Sequence, residues 1–202
     1  MSQIRMTLAA ALLVAAFGSQ VVAQGVFGSS YSSTKAVNCW GIKGEKQVDD
    51  NTTRVCRGKV DLVVFVNEGE MHETISVGRD KVAAGNEPAA QAWFGPSSSA
   101  LRTIEWRMAG SEPVAIIQRW QLADNTETDK DGRPATKAML VVTRLPPGPV
   151  CHIAYVDVAA NPNADELARR AADELARNFK CGTDQVKVIG TSGRAVELAQ
   201  QH

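Results

Sequence analysis

The sequence predicts an α+β fold: a single antiparallel sheet of about six strands, two hairpins plus a C-terminal strand pair, covered by one C-terminal helix and tied by two disulfides. Three observations carry this expectation. Residues 60–77 and 101–122 each set apolar and β-branched side chains on both sides of a turn signal. The stretch from Asn163 has an apolar stripe at helical spacing. Four cysteines, an even number, sit in a chain whose first residues read as an export signal.

That signal comes first in the chain. "MSQIRMTLAAALLVAAFGSQVVAQ" has one early cation, Arg5, an apolar run from Leu8 to Phe17, and small residues up to Ala23 where a signal peptidase would cut. The run is shorter than the roughly 20 apolar residues a membrane span needs. Residues 1–23 are therefore expected to be removed on export, leaving a protein in the periplasm or secreted beyond it, without stable membrane insertion. Of the 22 basic residues one leaves with the signal, and of the 22 acidic ones none, so the remaining balance is 21 against 22. Such neutrality gives no pull on nucleic acid or anionic lipid.

Residues 24–36, "QGVFGSSYSSTKA", are rich in Ser and Gly without periodicity and read as a flexible lead. One α+β domain is expected over 37–190, with 191–202 a loose tail in which "AVELAQQ" can form a turn of helix. Cys39, Cys56, Cys151 and Cys181 allow three pairings; Cys39–Cys56 and Cys151–Cys181 are preferred because each brackets one compact stretch of chain. Each closure stabilises by roughly 3 kcal/mol on loop entropy. No C-x-x-C spacing occurs and histidines number three, which argues against zinc.

In the first hairpin a two-residue Glu68-Gly69 turn would pair Val66 with Met71, Val64 with Glu73 and Leu62 with Ile75, and set His72 opposite Phe65. In the second, a turn at Gly110–Pro113 would pair Met108 with Val114, Trp106 with Ile116, Ile104 with Gln118 and Arg102 with Trp120, with a cation–π contact in the last pair. "AMLVVTR" is apolar on both faces, as a central strand is, and "VCHIAYVDV" follows it after "LPPGP". The helix has Asn163 as cap, Glu166 completing a capping box, and an apolar stripe through Leu167, Ala168, Ala171, Leu175 and Phe179. Asp165–Arg169, Glu166–Arg170 and Asp173–Arg177 are i,i+4 pairs in the favourable order, and Gly182 supplies the stop. "DQVKVIG" can add a short further strand.

Few motifs bear on chemistry. "EGEMHE", residues 68–73, concentrates three carboxylates and His72, but residue 76 is Ser where a zinc-protease motif needs His, and the surroundings are a hairpin, not a helix. His72 remains a candidate ligand contact. His152 follows Cys151 and by alternation shares a face with Ala154 and Val156 at the sheet margin. "ETDKDG" resembles the start of a calcium loop, yet Ala138 stands where the bidentate Glu should be. G-x-S-x-G and the glycine-rich phosphate loops are absent. "AWFGP" sets Trp93 and Phe94 beside a Gly-Pro turn, the type of exposed aromatic pair that anchors a ligand or partner.

The stretches "VTRLPPGPVCHIAYVDVAANPNADELARRAADELARNFKCG" and "FGPSSSALRTIEWRM", with the export signal, resemble a set of small exported bacterial proteins that carry no assigned activity. The resemblance implies a fold and carries no site residue. The expected function is a non-catalytic binding, inhibitor or envelope-accessory protein that meets another envelope protein or a small ligand through Trp93, Phe94 and His72, with no cofactor and no metal. The competing expectation is a small periplasmic hydrolase using His72 or His152 with a carboxylate.

Overall fold

Alternating side chains on long strands need a partner for each face, and this chain supplies two. The computed structural model describes residues 26–41 and 52–200. The proposed signal, residues 1–23, lies outside them.

Instead of one sheet there are two. The larger has six strands in the order β1 (Phe27–Ser33), β6 (Ser98–Ala109), β7 (Glu112–Thr128), β8 (Pro134–Arg144), β9 (His152–Asp157) and β10 (Lys187–Val188). All its pairs are antiparallel except β9 with β10. The smaller is antiparallel, in the order β2 (Cys39–Gly41), β3 (Thr52–Arg57), β4 (Val63–Glu68) and β5 (Glu73–Gly78). Among the described residues three α-helices complete the fold: α1 (Lys81–Gly85), α2 (Ala164–Leu175) and α3 (Arg194–Ala199).

The first hairpin therefore belongs to a sheet of its own. Val64, Val66, Ile75 and Val77 of the small sheet pack on Ile104, Trp106, Ile116, Trp120, Leu122, Met139 and Val141 of the large one. On the far side of the large sheet, Ala115, Ile117, Leu140, Val142, Ile153 and Val156 meet Leu167, Ala168, Ala171 and Ala172 of α2. The doubly apolar pattern of β8 follows: Met139 and Val141 face one layer, Leu140 and Val142 the other. Small alanines on α2 let the helix lie close, and two ion-paired arginines latch it. Arg107 donates to both oxygens of Asp173 at 2.9 and 2.7 Å, and Arg169 to both of Glu105 at 2.7 and 3.1 Å.

Both disulfides form as expected, Cys39–Cys56 and Cys151–Cys181. The second hairpin keeps its Trp106–Ile116 and Ile104–Gln118 pairs, but a bulge between Ala100 and Ile104 brings Ala100, not Arg102, opposite Trp120. Arg102 turns instead to Glu73 and Glu68, at 2.6 and 2.8 Å. Arg54 joins the same two carboxylates, so Glu73, 4 % exposed, links β3, β5 and β6 across the two sheets.

The first hairpin has a longer loop than expected, with Val66 opposite Ile75 and Val64 opposite Val77. The change is an even number of residues, so the core-facing side stays the same. The Ser-rich lead is not loose: Phe27–Ser33 is the edge strand β1, whose Ser32 Oγ accepts the Trp106 indole N–H at 2.8 Å and whose Ser29 Oγ accepts from Arg107 at 2.6 Å. The tail is not loose: the turn of helix that "AVELAQQ" allowed forms as α3 and buries Ala195, Val196, Leu198 and Ala199 against the inter-sheet core. Asn163 begins α2, but its side chain makes no cap bond, so the expected capping box is absent.

Candidate functional site

Strands β5 and β7 each have one end at a common rim, and backbone stitches fasten it. Ser98 N donates to Met71 O at 2.9 Å, His72 bridges Ser98, and Ala123 N donates to Ser97 O at 2.9 Å. The small sheet, residues 93–98 and the far end of β7 thus meet there. Between them lies a groove of about 480 Å³ lined by His72, Trp93, Gly95, Pro96, the segment 124–126, Arg194 and Leu198.

One part of the lining is aromatic. The extended loop sends Trp93 outward, 44 % exposed, and Phe94 inward, 1 % exposed. Phe94 packs edge-on to Trp120 and Tyr155, at 5.0 and 5.5 Å between ring centroids, and stacks on His152 at 5.3 Å. The expected exposed aromatic pair is thereby corrected: Phe94 is a core anchor for the loop and only Trp93 presents a surface. His72 supports it, with ring centroids 4.2 Å apart, and its Nε2 lies 3.0 Å from the Gly95 carbonyl oxygen. A carbonyl only accepts, so Nε2 carries the hydrogen of that bond. Gly95, at φ +54°, makes the turn that returns the chain to β6.

Another part is polar and comes from β7 and α3. Arg194 donates through Nε to Asp124 Oδ2 at 2.7 Å and through Nη2 to Asp124 Oδ1 at 3.0 Å, with further contacts to Glu197 at 3.3 Å and Thr126 Oγ at 3.4 Å. Asp124 is 0 % exposed, and its Oδ1 also accepts from the Thr126 hydroxyl and backbone N–H at 2.7 and 3.1 Å. The hydrogen bonds from Arg194 and Thr126 hold this carboxyl well below the usual carboxylate range, and the same Asp124 bond raises the Arg194 guanidinium.

The docking of α3 sets where that guanidinium stands. Asp157, buried at the end of β9, accepts Ala195 N at 2.9 Å through one oxygen and Ala160 N at 2.9 Å through the other. Asn161 donates to Thr191 O and accepts from Thr191 N, both at 2.8 Å. A Cβ on Gly193 would come within 2.6 Å of the Asp157 carboxylate, so only glycine permits this approach.

His152 is not at the sheet margin. A bulge in the β8–β9 pairing leaves Ile153 extra, which turns His152 to the same side as Tyr155, with Nδ1 3.4 Å from the Tyr155 hydroxyl. Burial pushes its pKa down to about 4, so the ring is neutral. Burial also raises the Tyr155 hydroxyl to about 12.

A second recess, of about 420 Å³, lies toward the opposite strand ends between Val60, Leu62, Arg79, Glu112, Pro113 and Pro146. It is bordered by a turn closed by Leu62 N to Lys59 O at 3.0 Å, in which Val60 and Asp61 have φ of 47° and 57°. Among the described residues no group of three or more His, Cys, Asp or Glu is arranged to hold a metal. The acid-rich 127–132 segment is the β7–β8 turn, where Asp129 Oδ1 accepts from Asp131 N and Arg133 N, both at 2.9 Å.

Of the residues singled out from the sequence, Trp93 and His72 line this groove; Asp124 and Arg194, 70 residues apart, were not singled out, and Arg194 stands in what read as a loose tail. The Asp124-x-Thr126 spacing of a side-chain-closed turn was the one local signal. Searches against family models, curated proteins and solved structures find no match to this chain.

Proposed function

We propose that the protein is an exported, non-catalytic binding protein that takes a small ligand in the groove beside Trp93. One observation carries the reading: an indole held half-exposed by His72 and by its anchored neighbour Phe94, lining a concave surface with the fixed Arg194–Asp124 pair. A largely pre-formed concavity with an aromatic wall and a few placed polar groups is the usual make-up of a ligand site. Export is supported by the signal-like residues 1–23 and by two disulfides, which persist in oxidising compartments.

The hydrolase reading is less well supported. His72 and Asp124 do line one groove. Asp124, however, has both oxygens engaged by Arg194 and is held ionised, which makes it a weak base, and His72 Nε2 is bonded to Gly95. His152 is enclosed by Phe94 and Tyr155, away from solvent.

The test is a fragment-library screen by ¹H–¹⁵N chemical-shift mapping on protein produced from the full-length sequence. Hits should cluster on Gly95, residues 124–126 and the Trp93 indole, and Trp93→Ala should remove them. Hits that avoid the groove, or that persist unchanged in Trp93→Ala, overturn the proposal.

A further inference from the structure

We infer that the groove's ligand is a neutral saccharide, a short oligosaccharide whose ring lies on Trp93 with its hydroxyls toward the segment 124–126 and Arg194; this rests on the binding reading above. The assignment follows from what the lining offers and what it lacks.

Charge comes first. Among the described residues the lining has one arginine and one buried carboxylate, bonded to each other through two hydrogen bonds at 2.7 and 3.0 Å, and the exposed Glu197 accepts from the same arginine at 3.3 Å. A phosphate or carboxylate ligand would have to pull Arg194 from Asp124, leaving a buried carboxylate without its partner. A cationic ligand finds Asp124 enclosed and already accepting four hydrogen bonds, two from Arg194 and two from Thr126. The groove therefore selects a ligand without net charge.

Polarity comes second. Trp93, His72, Pro96 and Leu198 present apolar surface, while the exposed Asn125 supplies an amide at the edge and the Thr126 hydroxyl, whose proton goes to Asp124, an acceptor lone pair. Among the described residues four of the five Arg194 N–H groups have partners, and the fifth, on Nη1, stands at the groove. A wholly apolar ligand would desolvate these groups without replacing their bonds. A pyranose matches both parts: its C–H face lies flat on an indole and its rim is a ring of hydroxyls that donate and accept.

Size and shape come third. A volume of about 480 Å³ falls in the range of about 300–1,000 Å³ that holds a drug-sized ligand, more than one sugar ring needs. The exposed positions of Trp93, Asn125 and Thr126 leave the groove open at its rim, so a chain of rings can continue past it.

The experiment titrates the protein with chitotriose, cellotriose and maltotriose, and in parallel with adenosine, sulfate, tetramethylammonium and the fragment library, reading backbone and indole N–H shifts. At least one neutral trisaccharide should shift the Trp93 indole and residues 124–126 saturably. Trp93→Ala should weaken it at least tenfold, Trp93→Phe by less than that, and the exposed Asn125→Ala by about threefold or more. Near-UV circular dichroism checks that each variant keeps its fold. If the trisaccharides leave the groove untouched while adenosine, an ion or a fragment occupies it, the saccharide assignment is overturned and the binding groove stands. If no probe perturbs the groove, both fall.

Discussion

Leu198→Ala is the most informative single perturbation, because Leu198 is both a core residue and a wall of the groove. The side chain is 2 % exposed within the inter-sheet core, on a helix the sequence placed in a loose tail. Truncation removes three buried carbons, each contributing about 0.8 kcal/mol by transfer from water, or about 2.4 kcal/mol together. The cavity left behind adds to this, although the adjoining groove lets water and neighbours relax into the space, so a total near 3 kcal/mol is expected within the usual range of about 2–5. In a domain of this size that is a loss of roughly 6–12 °C in Tm. Urea and thermal unfolding followed by near-UV circular dichroism measure it, with Leu101→Ala, at a 43 % exposed site, as the control expected to change stability by less than about 0.5 kcal/mol. A Leu198→Ala effect as small as the control's would refute the docking of α3 and with it the placement of Arg194.

Other expectations are independent of that one. Because burial lowers His152 to about 4, below its ordinary value of 6.5, the unfolded chain binds more protons between those values; stability is full above about pH 6.5 and declines by up to about 3 kcal/mol as pH falls toward 4. Urea midpoints from pH 7 to 4.5 should show this slope in the wild type and lose most of it in His152→Gln; equal slopes would contradict a buried neutral imidazole. Glu73→Gln should destabilise by about 2–3 kcal/mol, since it leaves Arg54 and Arg102 facing a neutral amide at the joint between the sheets; a neutral result in equilibrium unfolding would show that the joint is held by apolar packing alone. Arg144 donates from Nε, Nη1 and Nη2 to the carbonyls of Ala176, Pro149 and Pro147, and Arg144→Lys, which cannot reproduce the fork, should cost about 2 kcal/mol; equal unfolding midpoints for the two proteins would refute that.

What could be read from the letters was local, and what could not was the product of irregularity or distance. The helix from Asn163 and the Trp106–Ile116 pairing were legible because periodicity and turn chemistry act within a few residues. The first hairpin kept its core face through a change of loop because side chains alternate with period two and the register moved by an even number. A bulge breaks that rule: the extra Ile153 put His152 on the side opposite to the one alternation gave. The edge strand β1 was invisible because its serines answer to polar groups on β6 and not to a core of their own. The division into two sheets was equally hidden, since one strand pattern serves either arrangement. At the site, Trp93 and His72 were legible as an aromatic beside a turn and a rare histidine, whereas Asp124 and Arg194 gain meaning only when α3 folds back over the end of β7.

If the groove between Trp93 and Arg194 is the working surface, a ligand occupies it without disturbing the Arg194–Asp124 ion pair. A crystal structure of the protein with its tightest fragment or saccharide tests this most directly. Ligand density against the Trp93 indole, with Arg194 still bonded to Asp124, is the expected result. Density in the recess beside Val60 and Pro146 instead, or an Arg194 swung off Asp124 to meet the ligand, would contradict it.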